Sequence, residues 1–265
     1  MRFLPLLLLA TTLALATLSA ADPRAPGHIR LSGAPGPYGE SQWRRDWPGC
    51  EFEAGVEEKR ISLVERAGQR WLHVAFQPGA IGPDKNGAGW RAPFPARDRA
   101  ELSYRVRFAP GFEWVKGGKL PGLAGGPENV SGGHPATGTN GWSARLMWRA
   151  DGRGEAYVYH RHQPSNYGES FRFPDDFRFP VETDCSVRMR VEMNTPGKRD
   201  GTLQVWVATG AAERLVVDRH DLEWRTVKTF GIDSIYFETF YGGGGQDWAP
   251  TKPGWAEFGD FQVQP

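Results

Sequence analysis

The chain of 265 residues is poor in cysteine, almost free of net charge, and has only one long apolar run. Its two cysteines, Cys50 and Cys185, are too few for a disulfide-rich scaffold, and neither lies in a recognisable catalytic motif. Lys and Arg number 32 against 31 Asp and Glu, so no global field attracts a polyanion such as nucleic acid. Any anion-binding site must therefore be a local cluster of cations.

The one long apolar run lies at the start of the chain. The stretch MRFLPLLLLATTLALATLSAAD has one early cation, an apolar core and small residues at its end, which is the pattern of a secretory signal peptide. We expect residues 1–21 to be cleaved near Ala20 or Ala21, giving a secreted or periplasmic protein without a membrane anchor. In such an oxidising compartment Cys50 and Cys185 either form a disulfide or remain two separate thiols.

Helical periodicity is also lacking, since no amphipathic pattern exceeds about two turns. Short segments instead alternate apolar and polar residues with a period of two, as half-buried strands do. Strands are predicted over residues 53–63, 70–76, 100–108, 142–149, 155–160, 187–193, 203–207, 214–217, 234–240 and 258–263. Segments 22–43, 77–99, 111–141 and 163–180 are rich in glycine, proline or polar residues and are predicted as loops. This pattern predicts an all-β protein, with residues 22–265 forming one domain, a two-sheet antiparallel β-jelly roll.

A hairpin from Gly141 to His160 is the most informative stretch. Its first strand separates an apolar face from a polar one: Trp142, Ala144, Leu146 and Trp148 against Ser143, Arg145, Met147 and Arg149. Pairing Arg149 with Glu155 across a five-residue connection would place Arg145 opposite Tyr159 and Met147 opposite Tyr157. The polar face is then either a solvated surface, with a cation lying on aromatic rings, or a surface that handles an anionic sugar.

Five motifs follow one another between residues 116 and 243. They are Lys116-Gly-Gly-Lys119-Leu-Pro-Gly122, Ser143-Ala-Arg145-Leu-Met-Trp148, Ala156-Tyr157-Val158-Tyr159, Asn194-Thr-Pro-Gly197 and Thr239-Phe-Tyr241-Gly-Gly243. Together they resemble polysaccharide lyase family 14, a family of alginate and glucuronan lyases, from about Ala100 to the C-terminus. The resemblance implies a jelly roll that cleaves an anionic polyuronate, alginate before glucuronan, by β-elimination. It implies no metal or other cofactor, and we expect a monomer.

The resemblance maps the catalytic residues of the family onto Lys119, Arg145, Tyr157 and Tyr159. Elimination requires a cation on the uronate carboxylate, a base for the C5 proton and an acid for the departing O4. Arg145 suits the first role, because a guanidinium can hold a carboxylate bidentately. Tyr157 and Tyr159 are the candidates for base and acid, with Lys119 as acid or charge stabiliser. Four further residues are expected to contact substrate: Ser143, Lys116, His134 and Tyr241.

Other chemistries have weaker support. His134 is an alternative general base, and His160 with His162 lacks a third metal ligand at suitable spacing. Asp233 and Glu238 are five positions apart, an odd spacing that places them on opposite faces of a strand and disfavours a glycoside hydrolase. Segment 125–141 and the run 160–162 match nothing in the family. The non-enzymatic alternative is a carbohydrate-binding sandwich whose aromatic side chains stack on sugars.

Overall fold

The structure, a computed structural model, describes residues 27–265, so the predicted signal peptide lies outside the described residues. Nearly all regular structure in this range is β-strand, arranged in two antiparallel sheets. None of the helices within it is long or apolar enough to span a membrane. The predicted two-sheet, all-β architecture is confirmed.

The larger sheet has eight strands. In spatial order they are Gly36–Pro37 (β1), Ile61–Arg66 (β2), Gln69–Phe76 (β3), Gly254–Gln264 (β14), Arg99–Phe108 (β5), Cys185–Glu192 (β10), Gly201–Ala208 (β11) and Arg214–Leu222 (β12). The smaller sheet has six strands, in the order Ala88–Arg97 (β4), Ile232–Thr239 (β13), Gly117–Gly125 (β6), Trp142–Arg149 (β7), Gly154–Tyr159 (β8) and Glu169–Arg172 (β9). One short helix, Glu40–Asp46 (α1), and two 3-10 turns, Ala150–Gly152 and Gln246–Trp248, complete the regular elements.

The core between the sheets is aromatic as well as aliphatic. Trp90 of β4 stacks on Phe237 of β13, with ring centroids 4.1 Å apart, and Trp43 and Trp47 pack edge-on against Trp90. These two residues attach α1 and its following turn to the sandwich, because burying such large rings removes much apolar surface from water. Cys50 and Cys185 are both free thiols, and Cys185 is buried in β10.

Four segments that were predicted as irregular contain regular structure. Strand β4 lies in segment 77–99, β6 in segment 111–141, β9 in segment 163–180, and β1 with the start of α1 in segment 22–43. Conversely, only residues 61–63 of the predicted strand 53–63 are extended. Glycine and proline disfavour strands on average, but β4 and β6 are each hydrogen-bonded to β13, and that pairing overrides the local propensity.

The β7–β8 hairpin forms with the predicted faces but with a different register. Arg145 pairs with Tyr157 and Met147 with Glu155, so the predicted pairing of Arg145 with Tyr159 is wrong by two residues. The connection closes more tightly than expected: Arg149 N donates to Arg153 O at 2.7 Å across the 3-10 turn, where Asp151 adopts φ 60°. A shift of two residues preserves the alternation, so every side chain keeps its face.

Strand β6 carries an irregularity beside the centre of the hairpin. Leu120 pairs with Leu146 and Leu123 with Ala144, so two residues, Pro121 and Gly122, lie opposite Arg145 alone. A Cβ on Gly122 would lie 1.9 Å from Ala144 O, which only glycine avoids. This β-bulge lets both leucines face the core, while Lys119 points to the other side of the sheet.

Candidate active site

A cavity of about 790 Å³ lies on the face of the smaller sheet that points away from the core. Its floor is formed by alternate residues of four adjacent strands: Lys119 of β6, Arg145 and Met147 of β7, Tyr157 and Tyr159 of β8, and Tyr236 and Glu238 of β13. Asn129, Ser131 and Gly132 line one wall, while Tyr167, Trp248 and the Gly242–Gly244 turn contribute elsewhere. The cavity therefore brings the four predicted catalytic residues together.

Arg145 is the central cation of this floor. Its side chain is 1 % exposed, and Nη1 forms an ion pair and hydrogen bond with Glu238, which is 6 % exposed. The guanidinium also lies 4.6 Å from the ring centroid of Tyr236. Burial acts to lower the pKa of Arg145, but Glu238, with Tyr236 and Tyr159, more than offsets it, and the pKa is raised. Arg145 therefore remains a cation.

Two nitrogens of Arg145, Nε and Nη2, are buried and have no hydrogen-bond partner among the described residues. A buried charged donor without an acceptor is costly, and such groups are expected to find one. Because Arg145 lines the cavity, an anionic group of a ligand can supply the missing acceptor. The geometry of a guanidinium favours a carboxylate there, which accepts two parallel hydrogen bonds.

Lys119 lies beside Arg145 in a setting that disfavours its charge. Nζ donates to Met147 Sδ at 3.0 Å and lies 4.0 Å from the ring centroid of Tyr157. No described carboxylate forms an ion pair with it. Burial, reinforced by the Arg145 guanidinium, holds the pKa of the Lys119 ammonium well below its ordinary value. Because a lower pKa makes the amine easier to deprotonate, Lys119 is a potential proton acceptor.

The two tyrosines of β8 stand next to each other, with ring centroids 5.7 Å apart. Burial, followed by the influence of Tyr159, raises the pKa of Tyr157 to about 12. The Arg145 guanidinium acts to lower that pKa, but desolvation outweighs it. Tyr157 is therefore a phenol that keeps its proton at neutral pH. The hydroxyl of Tyr159 accepts a hydrogen bond from Gly133 N at 3.2 Å.

Segment 126–140, which makes up most of the stretch 125–141 without a counterpart in the family motifs, forms a wall that is fastened to three strands of the floor. Ser143 Oγ donates to Val130 O at 2.7 Å, Tyr159 accepts from Gly133, and Tyr236 Oη donates to Asn129 Oδ1 at 2.7 Å. Ser143 is fully buried beneath this wall and does not line the cavity. Its position fits a role in holding the wall rather than in touching substrate.

Three other residues expected to contact substrate also lie outside the cavity. His134 is half exposed and Nε2 contacts Glu128 Oε2 at 2.7 Å within the wall segment. Tyr241 is 1 % exposed, stacks on Phe112 in the core and donates its hydroxyl to Glu113 O. Lys116 forms an exposed ion pair with Asp247 and lines a second, neighbouring pocket.

The histidine pair does not converge. Strand β8 ends at Tyr159, so His160 and His162 do not continue its alternation. His160 Nε2 contacts Glu169 at 2.7 Å, whereas His162 Nε2 contacts Glu223 at 2.6 Å. Each imidazole therefore has its own carboxylate on a different strand or loop.

Sequence reasoning missed Tyr236 and Glu238 as parts of the site. Both alternate with Ile235 and Phe237, which are buried in the core. This alternation indicates that the tyrosine and the glutamate lie on the opposite face of the strand. Asp233 does lie apart from Glu238: it holds Arg91 at 2.8 Å and accepts from Gly126 N. The missing information was that β13 lies in the same sheet as β6 and β7.

Comparison with known proteins gives a consistent picture. Residues 64–261 match the family model described as polysaccharide lyase 14. The chain is similar to a marine PL-14 alginate lyase from Aplysia kurodai, with 28 % identity, a TM-score of 0.79, and coverage of 91 % of this chain and 99 % of that one. It is also similar to the alginate lyase Aly36B, with 25 % identity, a TM-score of 0.77, and coverage of 90 % and 96 %. None of the curated protein sequences compared with the chain matches it.

Aly36B also offers a ligand-bound structure for comparison. It is a variant in which a lysine and a tyrosine are replaced by alanine, in complex with an alginate tetrasaccharide. The identity is 25 %, the TM-score 0.76, and the coverage 89 % of this chain and 95 % of that one.

Proposed function

Because the chain belongs to polysaccharide lyase family 14, and is thus a polysaccharide lyase, we propose that it cleaves alginate by β-elimination in the cavity above β6, β7, β8 and β13. The observation that carries this proposal is the pair of unpartnered buried nitrogens of Arg145, which lie beside Lys119, whose pKa is lowered, and Tyr157, whose pKa is raised. The two solved structures described above, at 28 % and 25 % identity, are alginate lyases, which favours alginate over glucuronan.

Arg145 neutralises the carboxylate of the uronate at the cleavage site. Its free Nε and Nη2 face the substrate while Nη1 stays on Glu238, which fixes the orientation of the guanidinium before substrate arrives. Neutralising the carboxylate stabilises the charge that develops when the C5 proton leaves, and preorganised donors of this kind contribute strongly to catalysis.

Lys119 is the base in this proposal. Its lowered pKa makes the amine available to take the C5 proton, a role that the sequence had suggested for a tyrosine. A tyrosine with a pKa of about 12 would be a poor base at neutral pH.

Tyr157 is then the acid. As Lys119 takes the C5 proton, the electron pair of the C5–H bond forms the C4–C5 double bond and the C4–O4 bond breaks. The departing O4 takes the phenolic proton of Tyr157, so the products are a saturated chain end and an unsaturated uronate. Proton return from Lys119 to Tyr157 resets the site. Tyr159, held by Gly133, supports Tyr157 from the side.

The test is to incubate the protein with polymannuronate, polyguluronate and polyglucuronate and to follow ultraviolet absorbance of the conjugated unsaturated end. We expect the absorbance to increase with time when the wild type acts on an alginate polymer. In the Lys119→Ala variant the rate of this increase should be roughly 10²–10⁴-fold lower, with polymer binding retained. Binding without absorbance would favour the carbohydrate-binding sandwich. Saturated products would instead identify a hydrolase.

Where the protein works follows from the chemistry and from the predicted signal peptide. A polysaccharide substrate is met outside the cytoplasm, so secretion or export to the periplasm is part of the proposal. Cleavage near Ala20 or Ala21 would be visible as the mass of the mature chain after expression in an exporting host.

A further inference from the structure

A second pocket, of about 340 Å³, adjoins the active-site cavity at the turn end of the β7–β8 hairpin. Arg149 lines both pockets. It lies on the same face of β7 as Arg145, four residues further along, which is roughly 13 Å along an extended strand. A polymer lying along this face from Arg145 would therefore meet the second pocket next.

The second pocket is cationic although the chain as a whole has a formal net charge of only +1. Four basic side chains line it, against two acidic ones: Lys116, Arg149, Arg153 and Arg172, against Glu155 and Asp175. Glu155 is buried, forms an ion pair with Arg149 at 2.8 Å and accepts a hydrogen bond from Ser170 Oγ at 2.9 Å. Its charge is therefore satisfied inside the protein and does not neutralise the remaining cations.

Arg153 and Arg172 are the cations left over. Both are exposed, and neither guanidinium forms an ion pair or hydrogen bond with another residue in the described range 27–265. Arg172 of β9 is the direct cross-strand neighbour of Glu155, which is the neighbour of Met147, which is the neighbour of Lys119. The row that contains the proposed base thus ends at a free arginine. Elsewhere on the protein most exposed arginines have a carboxylate partner, as Arg44 has in Glu40.

We infer that this second pocket is a subsite that binds the carboxylates of uronate residues away from the cleavage point, with Arg153 and Arg172 as its anion-binding groups. The inference rests on the proposed function, since it takes the same polymer to extend out of the active-site cavity. Trp248, whose ring centroid lies 5.5 Å from the Arg149 guanidinium, stands at the junction and offers a stacking surface for a sugar. Asp175 also lines the pocket and offsets part of its positive charge.

The test compares the Arg153→Ala/Arg172→Ala double variant with the wild type on long alginate and on the shortest alginate oligosaccharide that the wild type cleaves. We expect KM for the polymer to rise several-fold in the variant, with kcat retained and with both constants for the short oligosaccharide unchanged. Raising the salt concentration should weaken polymer binding by the wild type more than by the variant, because exposed charges are screened. The matched control is Arg44→Ala/Arg45→Ala, which removes two exposed arginines that line neither pocket.

Equal KM values for polymer in the wild type and the variant would overturn the subsite. So would a loss that is the same for the short oligosaccharide, because the arginines would then act at the cleavage point or on folding. Thermal unfolding at an unchanged temperature separates these last two. If the wild type itself releases no unsaturated product from any polyuronate, the proposed function fails instead, and that outcome is read from the wild type alone.

Discussion

Strands β7 and β10 both carry outward-facing arginines, but the surroundings of these arginines differ. Each strand carries two arginines on the face that points away from the core: Arg145 and Arg149 on β7, and Arg188 and Arg190 on β10. On β10, Arg188 lies 3.8 Å from the ring centroid of Trp206 and forms ion pairs with Glu101 and Glu213, and its side chain is 23 % exposed. On β7, Arg145 is 1 % exposed, has one carboxylate partner and keeps two nitrogens unpartnered.

The difference comes from what covers each strand, and not from the strands themselves. The face of β10 is open, so its arginines are solvated and their carboxylate partners saturate them; it is the solvated surface that the sequence of β7 equally allowed. On β7, Ser143 lies beneath the wall of segment 126–140, and Arg145 lies on the floor of the cavity between Glu238 and the tyrosine rings, where it is 1 % exposed. A cation becomes a binding group when the fold both buries it and withholds part of its hydrogen bonding.

The largest expected difference between the two faces is in the free energy of unfolding, when a carboxylate partner of Arg145 or of Arg188 is removed. Glu238→Gln leaves Arg145 buried without its counter-charge, and we expect a loss of about 3–5 kcal/mol in the free energy of unfolding. The matched change Glu213→Gln, at an exposed partner of Arg188, should cost about 0–1 kcal/mol. Urea unfolding of both variants measures the difference. Equal losses would show that Arg145 does not depend on Glu238 in the way the structure indicates.

Substitution of Arg145 should also lower activity more than substitution of Arg188. Arg145→Lys keeps the positive charge but removes the planar pair of donors, and we expect kcat/KM to fall by roughly 10²–10³-fold. Arg188→Lys should leave kcat/KM unchanged, because its face is not part of the cavity. The ultraviolet assay with alginate measures both. Normal turnover by the Arg145→Lys variant would rule out bidentate neutralisation of the carboxylate.

The smallest expected effect is a pH dependence of kcat/KM. Arginine keeps its charge on both faces, but the active-site face also has the amine of Lys119, whose pKa is lowered. Lys119 must be neutral to act as the base, so kcat/KM should rise with pH through its lowered pKa, which lies below the ordinary value of about 10.4. Tyr157 must keep its proton, so the decline should come only towards its pKa of about 12. A pH–rate profile checks this. A rate that falls steadily from neutral pH upwards would contradict Lys119 as the base.

Much of the site could be predicted because alternation survives errors of register. The hairpin register was wrong by two residues, yet Arg145, Tyr157 and Tyr159 still share one face, since parity is all that the face requires. Strand β6 could not be predicted from propensity, because Gly122 is selected by the close approach of Ala144 O and Pro121 by a bulge. Glu238 was invisible as a partner of Arg145, because sequence does not state that β13 and β7 lie on either side of β6.

The bulge of β6 also constrains the number of residues in the strand. Removing one residue at Pro121–Gly122 would force one half of the strand to slip, turning either Lys119 or Leu123 to the wrong side of the sheet. The spacing from Lys119 to Leu123 must therefore keep its length for Lys119 to stay in the cavity while Leu123 stays in the core. The number of residues in that short stretch therefore matters for catalysis as well as their identity.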